Sequence, residues 1–537
     1  MGSLAATHVP GTVHLVDLDG TVAAQHSGDD KIVLIPPPSA DLEDPLNWSK
    51  RRKLLSTFCC MLYTCWVAAG VGATPTILPQ ITEATGLTTA QLVEGVGYMF
   101  LTFGWGCLVF QPLAQQYGKR PIYLISIAGT AAVMVWHAYV RTNQEFIAIK
   151  LAQGFLGAPV ESLSEVSMTD IYFQHERGQY IALYGLVLYV GIYVMTIIAG
   201  FINDGQGWQW VLFWCAIFNA LSFVFLFFFM EETNYTRKTT SEAIEEVHTT
   251  TIRAQESHNP SKNITTTEAP ASETSEYPRT SFRQKLALIR RSDLQKPNRL
   301  LSMIWRPLEF FTYPCILYSG IAYGCIVVWW TVLINTVSPI LSVAPYHFSA
   351  TSIGLTYFSV LIGTVIGWVA IGWYGDRFLL FMAVRNGGIS EPEHRQWLNA
   401  VNLFLLPASL LLFGLGAAYE LHWFTVVFAM GLMGLAIMIG LQLSIAYCLD
   451  SYKDFGADAL VTVIIVRNMI NFGVSYGITP WIENMGLRDA FVVAAVAGFV
   501  QVATFGLAVR YGKGFRRSSV PRYERHMKDL RRDGAVH

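Results

Sequence analysis

Two glutamates one helical turn apart, Glu161 and Glu165, stand inside a stretch that is otherwise apolar, and a lone arginine, Arg467, stands inside another. An ionisable side chain at hydrocarbon depth costs a few kcal/mol on insertion scales, so it normally faces a cavity or a partner. Two carboxylates at this spacing share a helix face and repel each other. In a poorly solvated place that repulsion suits a carboxyl that takes up and releases a proton. Pairing with a Lys or Arg of a neighbouring helix is the other reading. A guanidinium is always charged, so Arg467 demands an anion, either a carboxylate of the protein or one of a substrate.

The glutamates are part of a larger polar stripe. Lys150, Gln153, Gly154, Gly157, Glu161, Ser164, Glu165 and Met168 fall on one side of a continuous helix. Pro159 interrupts that helix and frees the carbonyl near Phe155, a break that membrane helices tolerate where they line a cavity. Lys150 lies nearer the far end of the segment, where snorkelling to the interface is the alternative. Arg467 is accompanied by Asn468, Asn471 and Ser475. The candidate proton-coupling and substrate-binding set is therefore Lys150, Gln153, Glu161, Glu165, Arg467, Asn468 and Asn471. Trp66, Trp329, Trp330, Tyr323, Tyr357 and Tyr476 are candidates for lining a pocket that takes a ring-bearing or cationic compound, although Trp and Tyr also populate membrane interfaces. Glu94 and His137 read as an interfacial glutamate and an ordinary buried histidine.

The elements that must position these residues are apolar runs long enough to cross a bilayer, which takes roughly 20 residues as a helix. Twelve are expected, at about 54–78, 92–112, 121–140, 146–168, 181–202, 210–230, 309–337, 351–374, 399–418, 422–447, 458–482 and 489–510. Composition agrees: 53% of residues are hydrophobic and 14% charged, with mean hydropathy +0.38, where soluble domains carry about 25% charged residues. The expected fold is an all-α integral membrane protein, twelve transmembrane helices in two six-helix halves. The parts are a tail 1–53, a first half 54–230, a largely disordered linker 231–305, a second half 306–510 and a basic tail 511–537. The eight cysteines show no metal-ligand or disulfide spacing and read as small buried hydrophobes. No metal and no cofactor are expected, and a net charge of −1 gives no sign of nucleic acid.

Basic residues in short loops stay on the cytoplasmic side. With the N-terminus inside, that side collects residues 50–53, Lys119, Arg120, Arg177, Arg377, Arg385, Arg395, Lys453 and the tail from Arg510, while the other keeps Arg141 and Arg488. Both termini are thus expected in the cytoplasm, and no signal peptide precedes the first span. The stretch Glu232–Pro278 is rich in Ser, Thr and Glu and reads as a disordered linker. Its sequon Asn263-Ile264-Thr265 is expected to stay unmodified on the cytosolic side. Phe282, Leu286 and Ile289 among basic residues suggest a surface-lying amphipathic helix or a plain solvated one.

The loop Gln111-Pro112-Leu113-Ala114-Gln115-Gln116-Tyr117-Gly118-Lys119-Arg120 and its counterpart Gly372-Trp373-Tyr374-Gly375-Asp376-Arg377 resemble the G-x-x-x-D-R/K-x-G-R/K-R/K loops of the major facilitator superfamily. Gln111 and Gln115 replace the motif's opening glycine and aspartate. Lys150-Leu151-Ala152-Gln153-Gly154 is similar to the R-x-x-Q-G motif of helix four, a position implicated in proton coupling across the family. Asp170 with Arg177-Gly178 is similar to the element after that helix. The likeness is closest to fungal members, through Asp44-Pro45-Leu46-Asn47-Trp48-Ser49, Glu391-Pro392-Glu393-His394-Arg395, Asp450-Ser451-Tyr452 and Pro480-Trp481, and it runs from about Asp44 to Arg510. The helix-five motif of drug:proton antiporters, G-x-x-x-G-P-x-x-G-G, falls on Gly191, Met195, Thr196, Ala199 and Gly200 and lacks its proline and two glycines.

The resemblance implies alternating access about a site between repeats, with gating loops at Gly118, Lys119, Arg120, Asp170, Arg177, Gly372, Asp376 and Arg377. It implies a proton-coupled carrier of small organic molecules that works as a monomer in the lipid bilayer. Efflux of a drug, toxin or secondary metabolite across the plasma membrane is favoured. Uptake of an organic cation or nutrient by symport, a vacuolar location and a non-transporting sensor are the alternatives. An enzyme is not expected, for no cluster of catalytic His, Asp or Cys is found. An ATP-driven pump is not expected either, since Gly118-Lys119-Arg120 does not make a phosphate-binding loop.

Overall fold

The computed structural model describes residues 10–14, 44–235, 288, 299–386, 389–452 and 455–532, with the backbone alone at 13–14, 174–178, 376, 389, 457 and 529–532. In chain order the helices of the first half are α1 Lys50–Gly72, α2 Leu78–Thr85, α3 Thr89–Tyr117, α4 Lys119–His137, α5 Asn143–Gly157, α6 Pro159–Ile171, α7 Gln174–Gln206 and α8 Trp208–Phe229. The second half comprises α9 Leu300–Glu309, α10 Pro314–Leu341, α11 Ala350–Arg385, α12 Pro392–Gln396, α13 Asn399–Ala418, α14 Trp423–Ser451, α15 Gly456–Ala503 and α16 Phe505–Arg532. A two-residue antiparallel pair, β1 Val13–His14 with β2 Ile389–Ser390, is the strand structure among the described residues. Among the described residues, nine stretches are long and apolar enough to cross a membrane.

Local chemistry sets the ends. The Ser49 hydroxyl accepts from the Arg52 N–H to start α1. Thr88 and Gln91 exchange bonds of 3.0 and 3.3 Å in a capping box that starts α3. The helix α15 turns at Gly486, whose φ of 74° and ψ of 159° are not helical, so 456–485 and 487–503 are two rods. Span four is also two rods, α5 and α6, because Pro159 has no N–H to offer the Phe155 carbonyl; the Ala158 N–H takes that acceptor at 3.3 Å. The expected single polar face is therefore divided at Ala158.

Large apolar side chains such as Phe58, Ile125, Phe201, Leu221, Phe404 and Val496 are exposed, while serines, threonines and asparagines lie inside. That inversion is what a hydrocarbon surround selects. Within the first half α1 packs on α7 and α8, α3 on α5 and α4 on α8; within the second, α10 packs on α14 and α15, and α13 on the same two. The halves meet along two seams, α3 with α15 and α7 with α11. Residues 10–14 and α16 meet on one face, where β1 reaches β2 and Arg516.

Residues 232–235 differ from the disordered linker expected there. Glu232 and Thr233 are buried, and Asn234 donates to the Gln115 carbonyl at 2.9 Å. The cause is electrostatic: two free N–H groups at the start of α4 need an anion. The sequon at Asn263 and the basic stretch 282–291, Leu288 apart, lie outside the described residues.

Candidate functional site

The break at Ala158 makes Glu161 the third residue of a new helix, in the first turn of α6, where an N-terminus favours negative charge. Its carboxylate meets the Arg467 guanidinium of α15 at 2.7 Å, across the divide between the halves. Arg467 is 3% exposed. It also donates to the Tyr323 hydroxyl of α10 at 2.8 Å and to Asn468 Oδ1 at 3.0 Å, and it lies 4.8 Å from the centre of the Tyr323 ring. Of the two anions the sequence allowed for Arg467, the protein's own carboxylate fills the place. Asn471 acts from behind: its Nδ2 donates to the carbonyls of Arg467 and Gly324, and its Oδ1 accepts from Thr331 at 3.0 Å.

Glu165, one turn on, is 2% exposed and its Oε1 has no hydrogen-bond partner. Arg467 Nε and Asn468 Nδ2 are likewise unbonded. Beside the ion pair lies a cavity of about 40 Å³, walled by Phe100, Phe103, Tyr189, Val327 and Trp330 together with Glu161 and Arg467. This is room for one to a few waters beside the charges. Tyr184, unremarked in the sequence, donates to the Val160 carbonyl at 2.8 Å and fixes the first turn of α6. Tyr189 lies well inside the expected span 181–202, away from the interfacial places tyrosine prefers, and that position was the available signal; Tyr184, near the start of that span, carried none.

Lys150 and Gln153 stand apart from this chamber. Lys150 does not snorkel: it is 1% exposed, donates to Gln153 Oε1 at 3.1 Å and Thr74 Oγ1 at 3.4 Å, and rests over the Phe146 ring. Gln153 Nε2 donates in turn to the Gly70 carbonyl at 3.1 Å. These bonds tie α5 to α1 inside the first half. Of the aromatic candidates, Trp330 walls the cavity and Tyr323 holds Arg467. Trp66 stacks on Phe218, Trp329 donates to Gln501, Tyr357 faces Tyr193 and Tyr476 bonds Tyr98.

The profile described as Major Facilitator Superfamily matches residues 60–454. The chain belongs to the major facilitator superfamily. An uncharacterized MFS-type transporter of Schizosaccharomyces pombe is 26% identical, over 96% of this chain and 94% of its own length. Protein HOL1 of Saccharomyces cerevisiae is 25% identical over 90% of each, and the MFS transporter cpaT of Aspergillus oryzae is 25% identical over 88% of this chain and 90% of its own. Among solved structures, the partially occluded inward open xylose transporter XylE from E. coli superposes with TM-score 0.55 at 11% identity, over 85% of this chain and 99% of that one, a likeness of fold. The protein is thus a multi-pass membrane transporter of the fungal facilitator type, not an enzyme.

The facilitator loops take a particular form here. Lys119 pairs with Asp170, and Glu232 accepts from the N–H groups of Lys119 and Arg120, each at 3.0 Å, while Gly118 lies against the same carboxylate. Arg120 Nη2 donates to the Phe227 carbonyl at 2.6 Å. Glu232, read from sequence as linker, is the anchor of this loop. In the second copy Gly372 is exposed and Arg377 stacks 4.1 Å from the Trp373 ring centre. The side chains of Arg177 and Asp376 lie outside the described residues.

Where antiporter helices carry a proline in span five, this facilitator has Thr196, whose hydroxyl bonds the Gly72 and Ile192 carbonyls at 2.8 Å in an uninterrupted α7. Near the face opposite the termini, Gly200 lets α7 touch α11 so closely that a Cβ there would sit 2.4 Å from the Ala350 carbonyl. Asp204 accepts from the Thr351 N–H at 3.0 Å and its hydroxyl at 2.6 Å. Tyr98 and Tyr476 join α3 to α15 on the same side. On that side these contacts hold the two halves together.

Proposed function

We propose that the chain is a proton-coupled secondary active transporter that moves a small organic molecule by alternating access and exports it across the plasma membrane. The Glu161–Arg467 ion pair carries this reading. It sits between two halves that must rock against each other, beside a small aromatic chamber. A proton arriving on Glu161 weakens the pair and loosens the halves. Glu165, buried without a donor for its Oε1, is the second carboxyl through which the proton passes. Trp330, Tyr189 and Phe103 favour a planar, ring-bearing cargo, and the paired glutamates favour a cationic one.

The Lys and Arg distribution supports cytoplasmic termini, with Lys119–Asp170 and the Gly372–Arg377 loop as gating elements on that side. The working unit in this reading is a monomer. Export rests on resemblance to fungal relatives. Uptake by symport is the second reading, favoured by the absent helix-five proline and glycines at Met195, Thr196 and Ala199.

The test is flux in proteoliposomes under an imposed pH gradient, over a panel of aromatic cations, drugs and natural products. Glu161→Gln is expected to abolish pH-driven flux while the protein stays folded, and undiminished flux removes Glu161 from the mechanism. Proton movement against the cargo marks export by antiport; movement with it marks symport. Binding of a panel member with no flux in the wild type marks a sensor.

A further inference from the structure

The charged groups of the termini face are gathered around a segment from the far end of the chain. Arg516 of α16 is wholly buried, and Glu393 holds it from two sides, at 2.9 Å to Nε and 2.6 Å to Nη2. Its third nitrogen, Nη1, donates to the Pro10 carbonyl at 2.6 Å and to Thr12 Oγ1 at 3.1 Å. Directly after Thr12, Val13 pairs with Ser390 and His14 with Ile389 in antiparallel register. Between these contacts Gly11 takes a φ of 81°, and a Cβ on it would lie 2.6 Å from the Asp450 carbonyl and 3.0 Å from Ser451. Only glycine meets both demands at that position.

We infer that the termini face of the second half is a peptide-docking groove, and that its occupant is the chain's own residues 10–14. The groove has three walls from separate elements: β2 with Glu393 between α11 and α13, the end of α14 at Asp450 and Ser451, and α16 at Arg516. Main-chain pairing to β2 supplies binding in the manner of an added strand. The turn through Gly11 and the carbonyl aimed at Arg516 supply selectivity. The arm completes a buried ion pair that otherwise keeps one nitrogen without its acceptors, which is unfavourable in a dry site. Because the three walls belong to separate elements, the arm binds best when those elements are arranged as here, and it stabilises that arrangement by its preference for it. Asp450 also faces Arg395 at 3.7 Å, so the docked arm touches the loop charges of the second half. The arm joins the first half through residues 15–43, so a segment covalently tied to one half is bound non-covalently by the other.

The experiment uses the full-length protein in nanodiscs with Val13→Cys and Ser390→Cys. Paired residues of antiparallel strands bring their Cα atoms to about 4.5–5.5 Å, within disulfide reach. Mild oxidation is expected to link positions 13 and 390 in most molecules, read by peptide mass spectrometry, and adding Gly11→Val is expected to lower the yield at least tenfold. Hydrogen exchange on the chain without engineered cysteines gives a second reading: Gly11→Val is expected to speed exchange of residues 389–396 and 512–519 at least fivefold. A link that fails to form, a link that forms equally with Gly11→Val, or unchanged exchange overturns the proposal.

Discussion

Glu161 and Arg467 come from different halves of the bundle and meet at 2.7 Å, with Tyr323 and Asn468 completing the arginine's bonds. Removing one partner of a buried pair leaves an uncompensated charge and costs about 3–5 kcal/mol, whereas replacing both with apolar groups is often neutral. Arg467→Met is therefore expected to lower the Tm of the purified protein sharply. Adding Glu161→Met is expected to recover most of the loss without restoring flux. A double variant no more stable than Arg467→Met contradicts the pairing.

Glu165→Gln keeps the shape of a side chain that makes no ion pair. Its stability is expected to change by no more than about 1 kcal/mol, read as a small shift in Tm, since one acceptor without a donor is exchanged for an amide. Flux driven by a pH gradient is expected to fall at least tenfold, while exchange of cargo at equal pH on both sides continues. Loss of both kinds of flux together would assign Glu165 to cargo binding alone.

Gly200→Val puts a branched side chain where the Ala350 carbonyl stands 2.4 Å from a Cβ. The seam between α7 and α11 has to part, and Asp204 loses its grip on Thr351. A cysteine placed at Thr351 is expected to react with a membrane-impermeant thiol reagent several times faster in this variant than in its absence. Equal rates would mean that the seam absorbs the clash elsewhere.

Glu232→Ala removes the anion that accepts from two N–H groups at the start of α4. Loss of such a cap costs about 0.5–2 kcal/mol, so a measurable drop in Tm is expected, and Glu232→Gln is expected to restore part of it. An unchanged Tm in Glu232→Ala would show that water replaces the carboxylate at no cost.

The all-helical membrane fold was legible because bilayer thickness imposes a length on apolar runs, though nine such stretches stand among the described residues where twelve were expected, and the dangerous charges were legible because Glu161, Glu165 and Arg467 contrast with their surroundings. Their pairing was not, because nothing in local periodicity tells which of two distant helices faces a carboxylate. The proline at 159 announced a break but not its outcome, which was to separate Lys150 and Gln153 from Glu161. Periodicity assumes one continuous rod, and the assumption failed at Ala158. Glu232 was missed because its neighbours to the C-terminal side are polar, and composition averages over the residue that α4 selects.

The divided fourth span has a mechanical corollary. Its outer rod is fastened to α1 through Lys150 and Gln153, while its inner rod is fastened to the opposite half through Glu161. One stretch of chain thus has two allegiances, and Ala158 is the swivel between them. The turn that bears Glu161 can follow one partner without dragging the other along, which leaves the charged chamber free to rearrange while the rod bonded to the first helix keeps its fit.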